Sequence, residues 1–230
     1  MNGHNLTVYD FVVDLIPGVL AILIVVSLLP AETIGGLDLA EMTVGSSALI
    51  VVLGYFVGHL VQAVASPIDK KVYIWRQDHY PFEQALAEAR DDSVEERFDE
   101  NIERFFSLDS DGSDGLNDYE VFKLTQSYLW NNDIGRAQRF QVLYTFLRSV
   151  WVLSVAGAVL HLLGLVASEC TGYQLVWSPL QSTVIIGVLV VAAGIAYLRR
   201  VKYHKMMADA LIFDFYANVL GQEDDREAAT

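Results

Sequence analysis

Cysteine is all but missing from this chain: Cys170 is the single one among 230 residues, so no intrachain disulfide can form. Catalytic signatures are missing too. There is no HExxH, no P-loop, no GxSxG, no cysteine pair and no glycine-rich dinucleotide turn. The histidines, His4, His59, His79, His161 and His204, are scattered along the chain. The expectation is a protein that is not an enzyme and needs no cofactor. No stretch alternates as a strand would, and no internal repeat is visible. The opening "MNGHNLTVYD" lacks the basic segment of a cleavable signal, and the first apolar run is already long enough to be a membrane span.

The most informative shortage is of positive charge. Lys and Arg together number 15 against 29 Asp and Glu, for a net charge of −14, and yet 53% of the residues are hydrophobic. Segregation along the chain reconciles these figures. Four apolar runs, roughly 11–29, 44–64, 147–166 and 179–198, each approach the ~17–25 residues that a helix needs to cross ~30 Å of hydrocarbon. The segment 66–140 between the second and third runs has soluble composition. The expected fold is therefore an all-α membrane protein: four transmembrane helices with a helical cytoplasmic domain inserted between helices 2 and 3. Its divisions are 1–65 for spans one and two, 66–140 for the domain with an acidic loop, and 141–200 for spans three and four. A cytoplasmic amphipathic helix over 201–220 and a disordered tail over 221–230 complete it.

The two short loops, 30–43 and 167–178, contain no Lys or Arg; all 15 fall on the other side of the spans. The clusters Lys70/Lys71/Arg76, Arg136/Arg139/Arg148 and Arg199/Arg200/Lys202/Lys205 flank span ends. The positive-inside rule places both termini and the central domain in the cytoplasm of an inner-membrane protein. A glycan on the Asn5-Leu6-Thr7 sequon would contradict this. The acidic excess suits the screened interior of a halophile; an acidic face for a basic partner is the other reading.

Within the first run, Ile16–Leu29 alone is too short to span, so Asp14 is expected near the headgroups, capping a helix or facing protein. Gly54 and Gly58 stand four apart in span two, and His59 and Gln62 three apart. In span three Ser154, Gly157, His161 and Gly164 form one stripe. Close backbone approach and side-chain hydrogen bonds hold helices together in lipid, so these residues are expected at helix interfaces of the protomer or of an oligomer. The sharper reading has them facing a water-filled path, with Arg148, Arg199 and Arg200 around its cytoplasmic mouth.

Helices are expected from Ser66-Pro67 onward, from Pro81 to Arg90, from the "SVEE" capping box at Ser93 to Phe106, and across "DYEVFKLTQSYLW". "NND" at 131–133 is expected to begin the helix that runs into span three. Past span four, Met206, Ala210, Phe213, Ala217 and Leu220 recur at helix-docking spacing.

The stretch "DSDGSDGLNDYE" places Asp109, Asp111, Ser113, Asn117 and Glu120 at positions 1, 3, 5, 9 and 12 of a calcium loop. It resembles an EF-hand but has Asp114 where the turn requires Gly, and no second loop is evident. Asn117 as helix N-cap with Glu120 three residues on explains the same residues without metal. Ca²⁺ is thus the one ion with a candidate site.

"YDFVVDLIPG", "GYFVGHLVQA" and "GRAQRFQVLYTFLRSV" resemble a widespread group of small prokaryotic four-span proteins. By architecture these are similar to membrane effectors of antiphage defence such as the channel component of Hailong-type systems. That resemblance, with the span polarity, implies a homo-oligomeric membrane channel or pore-forming effector gated by its cytoplasmic domain. The alternative is a non-conducting membrane sensor or scaffold, calcium-responsive through the acidic loop. The expected partners are the lipid bilayer and further copies of the chain.

Overall fold

A computed structural model describes residues 8–30, 44–76, 102, 118–132, 135–171 and 177–228. It contains five long helices: α1 (Val8–Ser27), α2 (Val44–Arg76), α3 (Asp118–Asn131), α4 (Ala137–Thr171) and α5 (Pro179–Ala228). No strand occurs among the described residues. Among the described residues three segments are long and apolar enough to cross a membrane: Ala48–Val72, Ala137–Cys170 and Pro179–Asn218. The apolar part of α1, Phe11–Ser27, is shorter. The expected helices over 81–90 and 93–106 lie outside the described residues, Ile102 apart, as does the acidic loop up to Asn117.

The chain divides into two compact units. One comprises 1–72 and 142–200, the other 73–141 and 201–230.

The first unit is built from α1, α2, α4 and α5. Gly18 of α1 meets Gly54 of α2, and Asp14 meets Gly58, so these two helices run antiparallel with their backbones touching. A Cβ at Gly18 or Gly58 would overlap backbone atoms of the facing helix. Farther along α1, Ile24 Cδ1 lies 3.0 Å from where a Cβ of Gly157 in α4 would sit, and Leu189 Cδ1 of α5 lies at 3.2 Å. The side chains turned outward are large and apolar, among them Val52, Phe56, Leu60 and Val64 on one stripe of α2. Such a surface suits hydrocarbon, where packing rather than apolar burial holds helices together.

The start of α5 follows helix-capping chemistry. Ser178 is the N-cap and Pro179 takes the first helical position, where its missing N–H costs nothing. Gln181 N donates to Ser178 Oγ at 3.4 Å and Ser178 N to Gln181 Oε1 at 2.9 Å, a reciprocal capping box.

The second unit buries Val121, Phe122 and Leu129 of α3 against Ala208, Leu211 and Phe215 of α5, with Ile102 also inside. Tyr128 packs edge-on against Phe215, ring centroids 5.5 Å apart, and its hydroxyl donates to Asn218 Oδ1 at 2.6 Å. α3 occupies the stretch expected to be helical.

Three sequence expectations need correction. α4 begins at Ala137 rather than at 131–133, because Gly135 turns the chain at φ +90 and Asp214 Oδ2 accepts the Arg136 N–H at 2.6 Å, supplying from α5 the cap the sequence assigned to Asn131–Asp133. The buried face of the 201–220 segment carries His204, Met207, Ala208, Ala210, Leu211, Ile212 and Phe215; of the expected seam Ala210 is buried and Met206 half-buried, while Phe213 and Ala217 face outward. Apolar residues occupy nearly every position from Met206 to Phe213, so periodicity alone could not choose the face. Finally, α5 continues to Ala228 through the stretch expected to be disordered. Its Gln, Glu, Arg and Ala residues are good helix formers, so extending an existing helix costs little.

Candidate functional site

Polar groups inside apolar helices are costly, and the first unit pairs several of its own in three places.

The first begins with Pro17. Proline has no N–H to give, so the carbonyl of Val13, four residues back, loses its helical partner. Gln62 of α2 supplies one: its Nε2 lies 3.4 Å from Val13 O and donates to Asp14 Oδ1 at 2.7 Å. Asp14 Oδ2 lies 3.1 Å from His59 Nδ1. Asp14 is buried inside α1, at 8% exposure, so it faces protein and does not cap the helix. His59 and Gln62 thus share a face, as their spacing predicts, and the partner on that face is Asp14. The imidazole lies tilted against the Tyr55 ring, centroids 4.7 Å apart, but 54% of the His59 side chain is open on the outer surface of α2. Its Nε2 has no hydrogen bond among the described residues.

The second place joins α1 to α4. Ser27 Oγ donates to Ile24 O at 2.7 Å and stands 3.0 Å from His161 Nε2. The hydroxyl has one proton, already committed, so the imidazole must donate from Nε2. His161 and Ser154 are buried at 1%, and Gly157 is packed against Ile24 and Leu189. Gly164, two turns on, is half-buried. Gly54, Gly58 and Gln62 of α2 are therefore packed within the chain against α1, and Gly157 and His161 of α4 against α1 and α5, whereas His59 keeps an open face.

The third place was not foreseen. Asp69 of α2, 2% exposed, forms an ion pair with Arg200 of α5, 1% exposed. Tyr144 of α4 donates its hydroxyl to Asp69 Oδ2 at 2.5 Å. The Arg200 guanidinium carbon lies 5.0 Å from the Trp151 ring centroid and 4.6 Å from that of Tyr197. A buried ion pair survives only where further hydrogen bonds and ring faces replace lost hydration, and both are supplied here. Arg200, expected at a pore mouth, is thus enclosed; Arg199 is exposed, and Arg148 is half-buried with its guanidinium carbon 5.5 Å from the Tyr144 ring centroid. Two signals for this cluster stood in the sequence. Asp69 is the single acid among the basic residues flanking span two, and Tyr197 precedes Arg200 by three residues, one helical turn.

Of the calcium-loop residues, Asp109, Asp111 and Ser113 lie outside the described residues, and Glu120 is exposed on α3. Among the described residues no group of three His, Cys, Asp or Glu side chains is placed to hold a metal ion.

No known protein family, curated protein or solved structure matches this chain.

Proposed function

We propose that the chain is a four-span membrane protein that works as a homo-oligomer, its protomers meeting around the His59 face of α2 and enclosing a conducting path. One observation carries this reading. His59 stands open amid Val52, Phe56, Leu60 and Val64, a stripe otherwise fit only for lipid. It lies near the middle of the apolar segment Ala48–Val72, about 16 Å along the helix from one end and about 20 Å from the other. Hydrocarbon accepts an imidazole backed by a carboxylate poorly, so water or a neighbouring protomer suits that face better. α1 supports a fourth crossing: its 20 residues rise ~30 Å, about the thickness of the hydrocarbon core. The side of the membrane follows from the basic residues, which put the termini and 66–140 in the cytoplasm, where that segment would gate the path. In this reading His161 and Arg200 hold the protomer together and His59 lines the assembly. Such a protein would serve as a pore-forming effector of the antiphage kind.

Full-length protein in planar bilayers, with its subunit number counted by native mass spectrometry, tests the proposal. Oligomers that conduct, and that lose or change conductance with His59→Phe, are the expected result. Oligomers that never conduct would favour the scaffold; silent monomers would end both.

A further inference from the structure

Cations without carboxylates are unusual in a chain with 29 acids and 15 bases. Four of them gather at one level of the first unit. Contacts of Asp69 with Tyr144 and Arg200, and of Arg200 with Trp151, set residue 69 of α2, 144–151 of α4 and 197–200 of α5 side by side. Lys70 and Lys71 directly follow Asp69, Arg148 stands between Tyr144 and Trp151, and Arg199 precedes Arg200. Asp69 is taken by Arg200. Among the described residues Lys70, Lys71, Arg148 and Arg199 make no ion pair, although the two lysines and Arg199 are exposed and free to do so. Arg148 is the more telling case. It is half-buried and rests on the Tyr144 ring; its Nε–H is turned inward without an acceptor, which leaves the two Nη groups to meet an anion from outside.

We infer that this layer binds the phosphate of an anionic phospholipid headgroup, with Arg148 as its anchor and Lys70, Lys71 and Arg199 as its rim. The chemistry fits on three counts. A guanidinium presents donors in a planar fork matched to phosphate oxygens, and the Tyr144 ring holds that fork in place. The layer lies where the apolar runs 147–166 and 179–198 give way to charged residues, the level at which lipid phosphates sit. The surplus of four charges calls for an anion, and none of the described residues supplies one there. Each cation near an anionic leaflet strengthens attachment about fivefold, so four can distinguish an anionic from a zwitterionic lipid. The inference rests on membrane embedding alone, not on conduction or subunit number.

The test uses the full-length protein in detergent, titrated with phosphatidylglycerol or phosphatidylcholine, with bound lipids counted by native mass spectrometry. Phosphatidylglycerol should bind at least about tenfold more tightly, and Arg148→Gln should remove most of that preference while circular dichroism stays unchanged. Arg148→Lys, which keeps the charge but not the fork, should fall between. Should Arg148→Gln fail to fold, the exposed pair Lys70→Gln/Lys71→Gln decides, and must reduce the preference severalfold. Equal binding of both lipids overturns the inference, as does a preference untouched by these changes. Calorimetric binding of inorganic phosphate by a protein that does not select phosphatidylglycerol would overturn it as well.

Discussion

Replacing Asp69 by Asn tests the buried cluster most directly. The substitution keeps the shape of the side chain and removes its charge, leaving the Arg200 guanidinium, 1% exposed, without a counter-ion. Removing one partner of a buried pair costs about 3–5 kcal/mol. Trp151 and Tyr197 remain over the cation, at about 0.5–2 kcal/mol each, and hold the loss toward the lower end. The Tyr144 hydroxyl exchanges a charged acceptor for a neutral one, which adds about 1 kcal/mol. A loss of about 3–4 kcal/mol is expected. Arg200→Met should cost a similar amount, because it strands the carboxylate with Tyr144 alone. The double variant removes both charges, so its cost should fall short of the sum by at least about 2 kcal/mol. Equilibrium unfolding of micelle-embedded protein by SDS, followed by tryptophan fluorescence, measures all three. Single losses that simply add to within about 0.5 kcal/mol would show that the two side chains do not act as a pair.

Other contacts yield further expectations. Gly58→Ala places a methyl against the backbone of Asp14 and should destabilise α1–α2 packing by about 1–3 kcal/mol in the same assay, whereas Gly194→Ala, which meets nothing, should leave stability unchanged or slightly raised. Ser27→Ala removes the acceptor of His161 Nε2 and should cost about 0.6–2 kcal/mol. Gly135→Ala forces a side chain into a left-handed turn and against Asp214; a loss above about 1 kcal/mol is expected, together with exposure of the second unit's core to proteolysis.

The apolar runs announced the helices because length and composition suffice for that. The spacing of Gly54, Gly58, His59 and Gln62 announced a contact face because a helix repeats every three to four residues. Neither could name the partner. α1 meets α2 through Gly18 and Asp14, and nothing local says that residue 14 lies beside residue 58. The Asp69–Arg200 pair joins residues 131 apart, and each sat in a run of basic residues that looked like an ordinary span flank. Gln62 offers a subtler lesson. A proline inside a helix predicts an orphan carbonyl four residues earlier, and a lone glutamine in an apolar helix is a natural donor for it. Only the fold brings Val13 and Gln62 together.

That carbonyl limits how the first unit can move. Sliding α1 along α2 would strand Val13 O in hydrocarbon and drive the Gly18 and Gly58 contacts into bulkier neighbours. Tilting one helix from the other would undo the same bond. The two helices must therefore travel as a single plank. Any rearrangement of this unit falls instead on the plank's seam with α4 and α5: the serine–histidine bond and the isoleucine over a glycine at the Ser27 end are the easier to release, while the Asp69–Arg200–Tyr144 cluster pins the seam at the other.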